Sequence, residues 1–261
     1  MRKVRNILIF VSIVAYLTVT LSFVANKQSE LVCKAVEVRI IDSAKNGFIQ
    51  PADIHKLLQN KNIKLIGKNF ENINLKALEA ELSTFTPVEN AEIFKTAGGK
   101  VVIEIQQRNP IVRFFDYLGR SYYIDDKGYL MRISGKYTSH VPVANGLISA
   151  PPEVKKTLNV MSLQKPDKRS ILAELYQLAQ YIEDHEFWKA QVQQIYVNNN
   201  YDFELIPRVG SHVIVFGDIS NCEEKFQNLE SLYINGLNAV GWNKYETINL
   251  KYKGQVICTK R

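Results

Sequence analysis

An uncharged run of nineteen residues, numbered 7–25, constrains the folding of this 261-residue chain more than any other feature. It begins with Ile7 and ends with Ala25, and twelve of its residues are Ile, Leu, Val or Phe. As a helix the run would be about 28 Å long, close to the roughly 30 Å hydrocarbon thickness of a bilayer. The sequence therefore predicts a single N-terminal transmembrane helix over residues 7–25.

A cleavable signal peptide is the competing interpretation of this run. The run is longer than the apolar core of about 7–15 residues in signal peptides, and Phe23 stands where cleavage requires a small residue. Both observations favour an uncleaved anchor. Because Arg2, Lys3 and Arg5 precede the helix, the positive-inside rule places a stub of residues 1–6 in the cytoplasm and the bulk of the chain in the periplasm or its equivalent.

The net charge of +7 does not indicate a nucleic-acid partner. The stub contributes three of the 33 basic residues, and the remaining 30 face 26 acidic residues. No run of Lys and Arg after residue 5 forms a basic face of the kind that binds nucleic acid. The charged residues, 23% of the chain, are typical of the surface of an ordinary folded protein.

Residues 26–32 are expected to form a linker. The pattern of residues 33–107 then predicts an α+β module with the order β-α-α-β-β. Pro51 and Asn74 are residue types that begin helices, and Gly98-Gly99 suits the turn of a hairpin. The sheet is expected on one side and the helices on the other. The alternating apolar residues that indicate the strands are Val36, Val38, Ile40, Val101, Ile103 and Ile105.

The pattern of residues 108–261 predicts a β-rich domain. Its sheet is expected to be mostly antiparallel and meander-like, with two helices packed on it. One helix is expected to begin near Asp167 or Ser170, and the other to end at Gly236, a typical residue after a helix C-terminus. Short alternating runs bounded by turn residues indicate the strands. They lie at residues 111–115, 121–124, 129–133, 194–197, 203–206 and 212–216.

The chain ends with YETINLKYKGQVICTKR, in which apolar and polar residues alternate with Ile257 as the one exception. A period of two predicts either a half-buried strand or a tight hairpin around Lys253-Gly254. A terminal strand is either paired on both sides within a sheet or forms an edge that another chain completes.

The sequence contains no pattern that indicates an enzyme, a cofactor site or a metal site. Neither a phosphate-binding loop nor a G-x-S-x-G motif is present. Asp125-Asp126 precede Lys127-Gly128, which is typical of a turn rather than of catalytic or calcium-binding carboxylates. The histidines occur without an i, i+4 pair or a neighbouring Cys. They are His55, His140, His185 and His212.

The three cysteines leave two interpretations open. Cys222 and Cys258 could form a disulfide and leave Cys33 unpaired, but spacing alone cannot establish this pairing. Small buried thiols are the alternative, because Cys behaves as a modest hydrophobe.

Several motifs, in their order along the chain, resemble the FtsQ/DivIB family of bacterial cell-division proteins. The resemblance implies a POTRA-like domain at residues 33–107 and the family's β domain at residues 108–261. It also implies a non-enzymatic scaffold of the bacterial inner membrane that recruits and links division proteins at the septum. The motifs are PVENAEI at 87–93, GGKVVIEIQQRNPIVRF at 98–114, YYIDDKGYLM at 122–131, VPVANGL at 141–147 and YETINLKYKGQVI at 245–257.

The resemblance further implies where partners bind. In the family, FtsB in complex with FtsL adds a strand to the edge formed by the C-terminal strands, and Tyr252 matches the partner-contacting tyrosine. The tryptophan that enterobacterial members carry beyond this point is absent here. Arg108 and Pro110 match the segment that links the two domains, and the POTRA-like module could take other divisome subunits. The implied partner-binding residues are Leu250, Lys251, Tyr252, Lys253, Gly254 and Val256.

Three alternatives remain open. The terminal strand could be internal, with Tyr252 in the core. A POTRA-bearing adaptor for protein assembly or secretion would be expected to carry several POTRA repeats or a barrel. A membrane-anchored cell-wall enzyme would be expected to show a nucleophile or a metal set in a cleft.

Overall fold

The computed structural model describes residues 9–20, 31–133, 135–152 and 158–261. The chain divides into two compact units. The first comprises residues up to 45 together with 49–107, and the second comprises 46–48 together with 108–261.

Residues 9–20 form a helix, α1, whose apolar side chains are exposed. The hydroxyl of Thr18 donates a hydrogen bond to the carbonyl of Ala15 at 2.8 Å, so this polar group is satisfied within the helix. The predicted span starts at Ile7 and ends at Ala25, and both of these residues lie outside the described part of the chain. No described helix is long and apolar enough to cross a bilayer.

The first unit has the predicted order β-α-α-β-β. Its three-stranded sheet has the order β1-β3-β2, with β1 parallel and β2 antiparallel to the central β3. A short 3₁₀ helix at Phe70–Asn72 precedes the second α-helix. The elements are β1 Ala35–Ile40, α2 Pro51–Asn60, α3 Leu75–Leu82, β2 Val88–Lys95 and β3 Lys100–Gln107.

Local chemistry explains where the helices of this unit begin. Pro51 is the first residue of α2, where its missing N–H costs no hydrogen bond. The side chain of Asn74 accepts a hydrogen bond from the N–H of Ala77 at 3.1 Å and so caps α3. Both predicted helix starts are therefore confirmed.

The second unit contains a nine-stranded sheet in the order β12-β11-β10-β9-β8-β7-β4-β5-β6. Five strand pairs are antiparallel and three are parallel, so the sheet is mostly antiparallel as predicted. The strands are β4 Pro110–Phe115, β5 Ser121–Asp125, β6 Leu130–Arg132, β7 Val143–Gly146, β8 Val192–Val197, β9 Phe203–Pro207, β10 Val213–Gly217, β11 Tyr245–Asn249 and β12 Ile257–Lys260.

Strand β7 was not predicted, and it makes the simple meander wrong. It lies between β4 and β8 and is parallel to both. Its four residues, VANG, are too few to show an alternating pattern. Gly146 ends the strand at φ +99°, and a Cβ atom there would lie 2.2 Å from the carbonyl oxygen of Val197 on β8. Only glycine therefore allows this close approach of two backbones.

The helices differ from the prediction in two respects. The two predicted helices are α4, Ile171–Asp184, and α6, Cys222–Ser231, but α5, Glu186–Gln191, was not predicted. The predicted end of the last helix at Gly236 is wrong. The chain continues as a π-helix, Leu232–Leu237, and as α7, Asn238–Val240. Gly241 follows at φ +95° and ψ 140°, outside the helical region, in a conformation that glycine adopts readily.

Helices and sheet bury one shared hydrophobic core. A row of paired residues crosses six adjacent strands on the core side, and α4 and α6 pack leucine and phenylalanine side chains onto it. The strand residues are Phe114, Ala144, Ile195, Leu205, Ile214 and Ile248. The helix residues are Leu175, Leu178, Ile182, Phe226 and Leu229.

His212, just before β10, is a buried polar residue at one end of this core. Its Nε2 atom lies 2.8 Å from the hydroxyl of Tyr233, which is also buried. Its Nδ1 atom is near the carbonyl of Trp242 but makes no hydrogen bond of good geometry to any described residue. Burial lowers the pKa of His212, and the nearby Arg261 lowers it further.

We expect Gly146→Ala to destabilise the second unit by about 2–5 kcal/mol, because left-handed strain and overlap with Val197 add together. Gly119→Ala is the matched control: Gly119 has φ +78°, but an added Cβ atom there would have no neighbouring atom within 4 Å. The control should cost about 1–2 kcal/mol. Urea denaturation followed by circular dichroism measures both, and equal losses would contradict the proposed steric contact.

We expect the thermal midpoint of the protein to fall as the pH drops below about 6.5, the ordinary pKa of histidine. Because the pKa of His212 is lower in the folded chain, the unfolded chain binds a proton at this residue more readily. The free energy of unfolding therefore decreases as the pH falls. His212→Gln should reduce the difference between the midpoints at pH 7.5 and pH 5.5. His55→Gln, at an exposed position, should leave that difference in place, and the reverse pattern would refute the assignment.

Candidate partner-binding edge

The C-terminal residues form a hairpin at one end of the nine-stranded sheet. Strand β12 is antiparallel to β11, with Cys258 opposite Ile248 and Ile257 opposite Asn249. Strand β11 is in turn parallel to β10. Among the described residues no other strand pairs with β12, so its outer backbone edge is open. We name this the β12 edge, Ile257–Lys260.

The terminal sequence therefore forms a hairpin with its turn at Lys253-Gly254, as one interpretation predicts, but a long loop joins its strands and the hairpin is not tight. The residues between β11 and β12, numbered 250–256, form a connecting loop. The N–H of Gln255 donates to the carbonyl of Tyr252 at 3.2 Å, and Gly254 has φ +66°. This turn breaks the strand, and a pattern of period two does not reveal where a turn interrupts it.

The loop contains all six residues assigned to partner binding, and their environments differ. Leu250 is buried, and its N–H donates to the carbonyl of Val215 at 2.9 Å. Val256 is partly buried against the same core. Tyr252 is 56% exposed, and Lys253 and Gly254 are also exposed. Tyr252 thus lies outside the core, while Leu250 and Val256 hold the loop in place.

Lys251 fixes the loop to the neighbouring β8–β9 turn. Its ammonium group lies 2.7 Å from Oδ2 of Asp202. The hydrogen bond to this carboxylate raises the pKa of Lys251. Its backbone N–H donates to the side chain of Asn249 at 2.9 Å. The charge of Lys251 is therefore partly neutralised within the chain, while Lys253 projects from the loop.

The loop also borders the N-terminus of α6 across a small cleft of about 50 Å³. Lys225 of α6 is almost fully buried beside this cleft, and its ammonium group donates to the backbone carbonyl of Asp218 at 2.8 Å. Tyr252, Lys253 and Asn228 contribute to the same lining. This cleft has room for only a few water molecules, so it is not a site for a larger ligand.

Beyond Lys260, the last residue holds the end of β12. The guanidinium of Arg261 donates to the carbonyl of Ser211 at 2.6 Å, and its backbone N–H donates to the carbonyl of Lys244. Ser211 is the neighbour of the buried His212. The open strand is thus attached at its far end to the same segment that contains the buried histidine.

The β12 edge has a mixed chemical character. Ile257 is 44% exposed, whereas Cys258 is half-buried and packs against the core. Burial raises the pKa of the Cys258 thiol. It also raises the pKa of Cys222 to about 12. Cys33, Cys222 and Cys258 are all free thiols in the structure.

Arg108 and Pro110, assigned to the domain junction, both belong to the second unit. The Arg108 guanidinium lies 2.6 Å from Oδ2 of Asp125, and both side chains are buried. It also lies 4.8 Å from the ring centroid of Tyr129, in a cation–π arrangement. Pro110 is buried at the start of β4. No local pattern indicated this buried ion pair, because its partners are 17 positions apart.

The Asp125-Asp126 pair forms a turn, as the sequence predicts. The side chain of Asp125 accepts hydrogen bonds from the N–H groups of Lys127 and Tyr129, and Gly128 has φ +81°. Burial raises the pKa of Asp125 even though Arg108 opposes this shift. Within the described residues, no group of three His, Cys, Asp or Glu side chains could hold a metal ion.

Comparison with known proteins identifies both units. Residues 31–106 match a model of the POTRA-like domain. Residues 109–259 match the model described as FtsQ/DivIB, C-terminal related. No curated protein matches the chain. The second match covers more than half of the 261 residues and ends within β12. The chain therefore belongs to the FtsQ/DivIB family.

Proposed function

We propose that the protein is a membrane-anchored, non-enzymatic scaffold of the bacterial divisome that binds FtsB- and FtsL-like proteins by strand addition at the β12 edge. The family implies a scaffold role in cell division. The open backbone edge of β12 is the observation that carries the proposed binding mode. Such edges accept an extended segment of another chain as an additional strand.

The backbone alone provides a weak interaction. Half of the backbone groups of a four-residue edge strand point outward, which allows about four hydrogen bonds. At roughly 0.5–1.5 kcal/mol each, they contribute about 2–6 kcal/mol. This is comparable with the cost of association, so apolar side chains must add to it.

Two exposed side chains next to the edge can make that contribution. Ile257 lies in the strand itself, and Tyr252 lies in the loop that precedes it. A tyrosine ring buries a large apolar area at low cost in conformational entropy and still offers a hydroxyl. In this proposal Tyr252, Lys253 and Gly254 contact the partner, whereas Leu250, Lys251 and Val256 position the loop.

Membrane anchoring strengthens such weak contacts. We propose that residues 7–25 span the inner membrane with the N-terminus in the cytoplasm, on the basis of the charge and apolar pattern of the sequence. Partners that are also anchored meet the β12 edge at a raised effective concentration. Contacts that are weak in solution then hold a complex at the septum.

The POTRA-like unit offers a further edge for other divisome subunits. Its sheet ends in β1 on one side and β2 on the other. On β2, the N–H of Ile93 is already occupied by the carboxylate of Glu79 at 3.0 Å. Strand β1 is therefore the edge that we propose for strand addition in this unit.

Proline substitutions can test strand addition at the β12 edge. Adjacent residues of an edge strand direct their N–H groups alternately toward the sheet and outward. Because the N–H of Arg261 points inward to the carbonyl of Lys244, Thr259→Pro removes an inward donor and Lys260→Pro, at an exposed position, removes an outward one. We expect the variant that removes the outward donor to keep the thermal midpoint of the wild type. It should capture far less of the FtsB- and FtsL-like proteins from membranes crosslinked in vivo.

Tyr252→Ala should reduce the same capture, since its ring is exposed, while Tyr117→Ala, an equally exposed change elsewhere in the unit, should not. If both proline variants fold and capture the partners as well as the wild type does, strand addition at this edge is wrong. If the wild type captures neither partner, the assignment of the partners themselves is wrong.

A further inference from the structure

A cleft of about 970 Å³ in the second unit lies outside the carboxyl ends of three parallel strands. Strands β4, β7 and β8 are adjacent and parallel, and the cleft is lined by the segments that follow each of them and by the start of α4. Ligands of α/β proteins bind in this position, beyond the ends of parallel strands. The volume is near the upper end of the range for small-molecule sites, roughly 300–1,000 Å³.

Two tyrosine rings are exposed in the lining of this cleft. Tyr117 follows β4 and is 62% exposed, and Tyr201 follows β8 and is 46% exposed. The turn around Tyr117 is rigid, because Asp116 accepts hydrogen bonds from the backbone N–H groups of Leu118 and Arg120. The Tyr117 N–H also donates to the carbonyl of Ile148 at 2.9 Å, which fixes it to the cleft wall.

Tyr201 is held in a conformation that tyrosine rarely adopts. Its φ angle is +60°, in the left-handed region that favours glycine or asparagine. The side chain of Asn198 maintains the turn by accepting hydrogen bonds from the N–H groups of Asn200 and Asp202. Strain of this kind at a large aromatic residue points to a role for the ring, since glycine would satisfy the backbone better.

The rest of the lining is mixed rather than purely apolar. Ile148 and Leu172 are buried at its floor, and Ser149, Ser170 and Asn200 supply polar groups at its walls. The lining also contains Asp167, Lys168 and Arg169. The guanidinium of Arg169 is committed to Glu174 through two hydrogen bonds of 2.6 and 2.7 Å. Asp167 and Lys168 are the other two charged side chains, and their charges are opposite, so the lining does not suit a polyanion.

We propose that this cleft binds a β-linked oligosaccharide. Pyranose rings with equatorial substituents have flat C–H faces that stack on aromatic rings and a rim of hydroxyl groups that suits serine, asparagine and charged side chains. An added peptide strand does not fit, because β4, β7 and β8 are interior strands whose backbone groups are already paired. In the strand order β12 is separated from β8 by β9, β10 and β11, although the loop before β12 reaches the β8–β9 turn through the ion pair of Lys251 with Asp202. The inference rests on the residues that line the cleft and does not require the proposed partner binding.

Saturation-transfer NMR and calorimetry on the purified full chain test this assignment with cellotetraose and chitotetraose, two β-1,4-linked tetrasaccharides that differ in their 2-substituent. We expect at least one of them to bind. Tyr117→Ala and Tyr201→Gly should each lower its affinity about tenfold, the loss expected from one aromatic contact. Phe94→Ala, which removes a 40% exposed ring from the first unit, should leave the affinity unchanged.

One variant of this series also tests whether the loss of binding is caused by misfolding. Tyr201→Gly relieves the left-handed backbone strain, so its thermal midpoint should be no lower than that of the wild type. A loss of binding in this variant then reports the missing ring. The proposal is overturned if neither tetrasaccharide binds the wild type, if both cleft variants bind as the wild type does, or if Phe94→Ala loses as much affinity as they do.

Discussion

The second unit depends on the insertion of one short strand, β7, between β4 and β8. This strand joins an antiparallel ladder of β4, β5 and β6 to a second one of β8, β9 and β10. Its pairing with β8 requires the backbone of Gly146 to approach the Val197 carbonyl more closely than any side chain allows. The joined sheet then provides one continuous face on which α4 and α6 bury the core.

The joined sheet offers two regions with different properties. Around β7, three adjacent parallel strands end together and leave a cleft whose walls are formed by the turns that follow them. At the far end, β11 continues the sheet in parallel with β10 and leaves β12 as a four-residue edge. Binding of a compact ligand suits the first site, and strand addition suits the second, because only the second has unpaired backbone groups.

Local sequence patterns predicted the elements whose signals lie within a few residues. Pro51 and Asn74 marked two helix starts, and alternation marked most strands of the sheet. The prediction failed where distant residues decide the structure. The four residues of β7 form a strand because neighbours on both sides pair with them. The last helix continues through Gly236 and ends only at Gly241, which has φ +95° and ψ 140°. The candidate edge and a hairpin around Lys253-Gly254 were anticipated from the terminal alternation, but the length of the loop, residues 250–256, was not.

Neighbouring residues and motif order were enough to establish the apolar N-terminal run, the α+β class, the order of elements in the first unit and the resemblance to a cell-division family. Long-range packing was needed to show that Tyr252 is exposed while Leu250 is buried, that Arg108 pairs with Asp125, and that Tyr117 and Tyr201 line one cleft. Periodicity specifies which residues share a face of a strand. Which face, edge or strand end is left open depends on contacts between segments that are far apart in the chain.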